Sequence, residues 1–150
     1  MKIRTDYVSN SSSSSFVLVG KVFSADELLD KIIADSDFLA RHNKKNGTEY
    51  EDLDALIDDN GVEDVLREYM GISWNDDIRI ETESNVGCMP DNIALGLNPK
   101  KMPDDMTLKD FKQKVVDVLT SHGIEADASS IQFITGGCDA SGYSFFDCRG

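Results

Sequence analysis

What this chain has little of narrows its class before any motif is read. Cysteine occurs three times in 150 residues, at Cys88, Cys138 and Cys148, with no C-x-x-C pair. An odd, unpaired set fits neither a secreted disulfide framework nor a zinc ribbon, so free thiols in a reducing compartment are expected. Histidine is scarcer still. His42 lies in the basic stretch R-H-N-K-K and His122 where a cation suits the end of a predicted helix, and neither has a second ligand at metal spacing. Long apolar runs are missing too: F-V-L-V-G, Phe16 to Gly20, falls far short of the roughly 18 residues that a bilayer crossing requires. Met1-Lys2 leads into polar residues and not into a signal-peptide core. A soluble, cytoplasmic protein without membrane contact is the expectation.

Cofactor and metal motifs are lacking as well. The phosphate-binding pattern G-x-x-x-x-G-K-[ST] does not occur, and no cofactor is expected. D-D-N-G, Asp58 to Gly61, is similar to the front of a calcium loop. Aligning Gly61 with that loop's glycine places Leu56 at position one and Arg67 at position twelve, where acidic ligands are required. The calcium reading fails, and no metal site is assigned. The carboxylate pairs Asp58-Asp59, Asp76-Asp77 and Asp104-Asp105 are read as solvated surface.

What is present suits one domain: 150 residues with 40% hydrophobic content suffice for a core without staples. Ser24 with Glu27 forms a capping-box pattern, and Leu28, Leu29, Ile32, Ile33 and Leu39 follow at helical spacing, predicting a helix from about Ala25 to His42. A second box, Thr48 with Glu51, predicts a short helix that carries Leu53, Leu56 and Ile57 and stops near Asn60-Gly61. Val62, Val65, Leu66 and Tyr69 continue as another helix until Gly71. Thr107 with Asp110 opens the clearest helix, with Leu108, Phe111, Val115, Val118 and Leu119 on one face and Gly123 as its stop. Strands are predicted at Phe16 to Val19, Ile78 to Thr82, Ile93 to Leu97, Ile131 to Thr135 and Tyr143 to Phe146. Helices and strands are interspersed without a regular βαβ repeat. The expected class is therefore α+β, a small mixed or antiparallel sheet of about five strands with about four helices.

The serine run Ser11 to Ser15 stands just before the first predicted strand. Serine hydroxyls satisfy nearby backbone groups and favour turns, so a polar lead-in is expected there, joining a short strand Ile3 to Val8 to the strand at Phe16. The whole opening, M-K-I-R-T-D-Y-V-S-N-S-S-S-S-S-F, resembles a start shared by many uncharacterised proteins of Gram-positive bacteria and their phages or mobile elements. L-K-D-F-K-Q-K-V-V-D-V-L, followed by G-I-E-A-D-A-S-S-I-Q-F-I-T-G-G, also resembles segments of such proteins, and the matches together cover about a third of the chain. The resemblance implies a provenance in a bacterial host cell. It implies no activity and carries over no catalytic residue.

Two stretches are candidates for function. The first is G-G-C-D-A-S-G, Gly136 to Gly142, read as a hairpin loop between two apolar strands. Gly136, Gly137, Cys138 and Asp139 form a possible ligand loop. An enzyme reading would make Cys138 a nucleophile with His122 as its base, but a thiol needs an activating neighbour that no sequence can place. The second candidate is defined by charge. Residues 48–92 hold fourteen Asp or Glu against two Lys or Arg, whereas residues 1–47 hold six against seven and residues 93–150 eight against six. Nearly all of the formal net charge of −13 therefore sits in the middle block.

Such a block repels phosphate backbones, so direct nucleic-acid binding is not expected, and it attracts a cationic surface. A basic protein partner is the expectation, with Asp58, Asp59, Trp74, Asp76 and Asp77 as the binding residues; Trp74, beside Asp76 and Asp77, is read as an aromatic anchor, with burial in the core as the commoner alternative for a tryptophan. Occupation of a nucleic-acid-binding groove by carboxylates in place of phosphates is a specific version. A role as a virion or assembly component, a merely solubilising surface, and an enzyme built on Cys138 are the alternatives.

Overall fold

A computed structural model describes residues 15–83, 91–138 and 144–149. The chain divides into two compact units, Ser24–Asp76 and a second made of Met1–Phe23 with Asp77–Gly150. The class is α+β. Among the described residues there are five strands and five α-helices. No helix there is long and apolar enough to cross a membrane.

The discontinuous unit is a sheet. Its strands are β1 (Ser15–Ser24), β2 (Ile78–Glu83), β3 (Asn92–Leu97), β4 (Gln132–Cys138) and β5 (Ser144–Arg149), in the spatial order β2-β3-β1-β4-β5. The β2–β3, β1–β4 and β4–β5 pairs are antiparallel. Leu18, Ala94 and Ile134, from the three inner strands, cluster in the core with no exposed surface. At the centre of the sheet β1 and β3 approach at two glycines. A Cβ at Gly20 would collide with the Leu95 carbonyl oxygen and the Gly96 Cα, and one at Gly96 with the Val19 carbonyl oxygen. The sheet curls until its edge strands meet: the Glu83 carboxylate of β2 accepts from the Phe146 amide of β5 at 2.6 Å.

The helix α5 (Leu108–Ser121) packs on β3 and buries Phe111, Val115, Val116 and Leu119. Thr107 caps it by accepting from the Asp110 amide, as the sequence pattern predicts.

The continuous unit holds α1 (Ala25–Ala34), α2 (Phe38–Asn46), α3 (Leu53–Asn60) and α4 (Val62–Met70). The capping box at Ser24 and Glu27 is present in both directions. The predicted single helix from Ala25 to His42 is two helices, because Asp35 supplies a local alternative to helical bonding. Its carboxylate accepts from the Asp37 amide, its carbonyl accepts from the Phe38 amide, and Arg41 reaches back to it at 2.9 Å.

The second helix boundary also differs from the expectation. Asp52, not Thr48, caps α3 by accepting from the Ala55 amide at 2.8 Å. Thr48 instead donates its hydroxyl to Asn43 Oδ1, which also accepts from the Tyr50 amide, while Asn43 Nδ2 donates to the Tyr50 carbonyl. One asparagine thereby ties down the connection between α2 and α3. Leu28, Ile32, Phe38, Leu56, Val65 and Leu66 fill the interior of this unit, with Phe38 edge-to-face against Tyr69 at 5.4 Å.

Candidate functional site

The helical unit holds fifteen Asp or Glu against five Lys or Arg, so the acidic surplus read from the sequence belongs mostly to it. Its most organised surface lies at the end of α4. Gly71, at φ 70°, turns the chain out of the helix, and the amides of Gly71 and Ile72 bond back to the last carbonyls of α4. Ile72 is buried, which fixes the exit, and the next four residues close on themselves. Asp76 accepts from the Ser73 amide at 2.7 Å, the Asp76 amide donates to the Ser73 carbonyl, and the Asn75 amide donates to the Ser73 hydroxyl.

Trp74 stands on this turn and is 65% exposed. Large aromatics usually go inside, so an exposed one held in place calls for a reason. What holds it is Arg67, only 7% exposed. Its guanidinium carbon lies 4.3 Å from the centre of the Trp74 ring, Nε donates to Glu63 one helical turn earlier, and Nη1 donates to the Ser73 carbonyl. Helix, turn and indole are thereby locked by one side chain.

Beside the indole is a cavity of about 320 Å³, lined by His42, Lys45, Asn46, Asn60, Asp64, Glu68 and Trp74 among others. His42 is 8% exposed and its Nδ1 lies 2.7 and 2.8 Å from the two oxygens of Glu68. An ionised carboxylate can only accept, so Nδ1 donates to Glu68, with Asn46 Nδ2 3.2 Å from the same ring nitrogen. Asn46 Nδ2 donates to the His42 carbonyl and Asn60 Nδ2 to the Leu56 carbonyl.

The residues chosen from the sequence distribute unevenly around this feature. Trp74 and Asp76 belong to it, Trp74 as a cavity wall and Asp76 as the acceptor that closes the turn. Asp58 and Asp59 are exposed near the end of α3. Asp59 accepts from the Tyr50 hydroxyl at 2.7 Å, and this bond is the chief reason why the Tyr50 phenol is held above its ordinary range. Asp77 lies in the sheet unit, 3.4 Å from Lys101.

The glycine stretch is not a loop at its start. Gly136, Gly137 and Cys138 are the end of β4, paired with Phe146, Phe145 and Ser144 of β5. Gly136 pairs with Phe16 on one side and Phe146 on the other, and those rings meet edge-to-face at 5.7 Å. With no side chain between them, the glycine serves aromatic packing across the sheet. Asp139 lies outside the described residues. Among the described residues no group of three His, Cys, Asp or Glu could hold a metal.

Sequence reading missed His42, Arg67 and Glu68. Signals existed: Phe38 and His42 are one helical turn apart, which puts the histidine on the buried face, and Glu63-Arg67 has ion-pair spacing. No family model, no curated protein and no solved structure matches the chain.

Proposed function

We propose that this chain is a small, acidic, non-catalytic protein of phage or mobile-element origin that acts in the bacterial cytoplasm by binding a basic protein partner. The helical unit, Ser24–Asp76, makes the contact. The observation that carries this reading is Trp74: a large aromatic, 65% exposed, pinned in one orientation by a buried arginine on an acidic unit. Rigid exposed aromatics are favoured anchors because little entropy is lost when a partner covers them. The charge around it supplies steering. Glu49, Glu51, Asp54 and Asp58 are exposed, and Asp54 and Asp58 stand one turn apart on α3. Carboxylates so displayed attract a surface that evolved to hold phosphates, and mimicry of a nucleic acid is the specific form of the proposal.

Affinity capture with the full chain and with Trp74→Ala tests this reading. The expected result is a basic, nucleic-acid-handling protein retained by the wild type and lost from the variant. Capsid or tail proteins retained in the same Trp74-dependent way would make the chain an assembly component. Capture of nothing that depends on Trp74 would overturn the proposal.

A further inference from the structure

The cavity beside Trp74 has a lopsided hydrogen-bonding character. Both lining amides turn their nitrogens into the protein, Asn46 Nδ2 to the His42 carbonyl at 3.0 Å and Asn60 Nδ2 to the Leu56 carbonyl at 3.1 Å. Each leaves a carbonyl oxygen as the group to offer a ligand. Asp64 adds an exposed carboxylate and Glu68 the remaining lone pairs of its own.

His42 lines the same cavity. Its side chain is only 9% exposed, its Nδ1–H is committed to Glu68, and its Nε2 has no hydrogen-bond partner among the described residues. Among the lining donors, Arg67 is engaged with Glu63, Ser73 and the Trp74 ring, and Lys45 is an exposed side chain. Acceptors on several sides and one aromatic wall select a flat cation rich in N–H groups. A guanidinium offers five donors in a planar fork and stacks on aromatic faces, whereas an ammonium is a compact point charge that does neither as well.

We propose that this cavity receives the guanidinium of an arginine side chain presented by the partner. The proposal rests on the basic-partner reading and names the residue that reading lacked. Trp74 forms the wall against which the guanidinium lies, Asp64 and Glu68 balance its charge, and Asn46 and Asn60 accept its N–H groups. The cavity volume of about 320 Å³ leaves room for the alkyl stem as well.

Trp74 is the chain's single tryptophan, so its fluorescence reports on this site directly. The full-length protein is titrated with the capped tripeptide acetyl-Gly-Arg-Gly-amide and, separately, with the neutral analogue in which citrulline replaces arginine. A saturable change in Trp74 emission is expected with arginine, and binding at least about tenfold weaker with citrulline, which keeps the shape and loses the charge. Asp64→Asn, an exposed substitution that leaves the helix cap and core untouched, is expected to weaken arginine binding by about threefold, in the range of an exposed ion pair. The double variant Asp64→Asn with Glu68→Gln, checked for an unchanged melting curve, is expected to weaken it by tenfold or more.

Equal binding of the two peptides, no saturable response, or undiminished affinity in the folded Asp64→Asn protein would overturn the proposal. The two readings fail separately. If the arginine peptide does not bind while charge-neutral variants still slow association with the captured partner, the pocket assignment alone falls. If the peptide binds as described and no partner association depends on charge, the pocket assignment stands and the basic-partner reading falls.

Discussion

Replacing Arg67 with alanine should do more than remove a charge. The side chain is 8% exposed, and the Glu63 carboxylate, the Ser73 carbonyl and the Trp74 ring are among the groups that engage it. Stripping its stem removes two buried methylene groups, worth about 1.6 kcal/mol at about 0.8 kcal/mol each. The stacking on the exposed Trp74 ring adds about 0.5–1 kcal/mol, the lower end of what cation–π contacts contribute. Its bonds to Glu63 and the Ser73 carbonyl add little more, since both partners can turn to water once the arginine is gone. Rotamer entropy released on truncation offsets about 1 kcal/mol. The net loss is about 1.5 kcal/mol.

Arg67→Met keeps most of the stem and should lose only about 1 kcal/mol, which separates packing from the guanidinium's own contribution. Urea unfolding followed in parallel by far-ultraviolet circular dichroism and by Trp74 emission measures both. In native buffer the Trp74 emission of the alanine variant should also become more accessible to a neutral quencher, because the indole has lost its brace. An Arg67→Ala protein within about 0.5 kcal/mol of wild type, with unchanged quenching, would refute the claim that this arginine fixes the indole.

Three further outcomes follow from other parts of the molecule. Gly20→Ala should destabilise by about 3 kcal/mol or more in thermal or urea unfolding, at the top of the usual range for overpacking, because the obstacle is the backbone of β3 and not a side chain that can swing aside. The Asp35 carboxyl is held below its ordinary value of 3.8, chiefly by the Arg41 bond, so its stabilising contribution is present above that value and is lost as pH falls through its lower folded-state pKa; the difference in melting temperature between wild type and Asp35→Asn should be small, because Arg41 is exposed, and should close under acid. The Tyr50 phenol is raised above its ordinary value of 10.0, chiefly by its bond to Asp59, so alkaline spectrophotometric titration should show one tyrosine ionising late in the wild type and in the ordinary range in Asp59→Asn.

The parts of this fold that were legible in the sequence are those whose signals are local. Ser24 with Glu27, Thr107 with Asp110 and the stop at Gly71 each act within one helical turn, and each does what its spacing predicts. The strands Ile78–Glu83 and Asn92–Leu97 likewise follow from alternation and apolar runs. The two misplaced boundaries arose where two local signals competed. Asp35 interrupts a helical apolar pattern by bonding to the Asp37 amide, and Thr48 is taken from its capping role by Asn43 in the preceding helix.

The candidate site was half legible. Trp74 was singled out as an aromatic beside Asp76 and Asp77, but its exposure depends on Arg67, and nothing in R-E-Y-M-G-I-S-W says that the arginine lies under the indole. His42 was read with its basic neighbours along the chain. Its place on the helix, four residues after Phe38, turns it inward to Glu68, twenty-six residues away. Contacts at that separation are fixed by packing, which single-sequence periodicity does not encode. The Ser15 that ends the serine run is the first residue of β1, while Ser11 to Ser14 and the predicted strand Ile3 to Val8 lie outside the described residues.

The association rate with the captured basic partner, measured at two salt concentrations, tests the central claim most directly. The comparison is between wild type and a protein carrying Glu49→Gln, Glu51→Gln, Asp54→Asn and Asp58→Asn, four exposed residues of the helical unit. Asp59 and Asp76 are kept, because each holds a structural hydrogen bond. Steering by these charges acts over a Debye length, which shrinks from about 30 Å at 0.01 M salt to about 8 Å at 0.15 M. The account predicts that the wild type associates markedly faster at low salt, that the quadruple variant loses most of that advantage, and that dissociation changes less than association in both. A folded quadruple variant that associates as fast as wild type at both salt concentrations would contradict it.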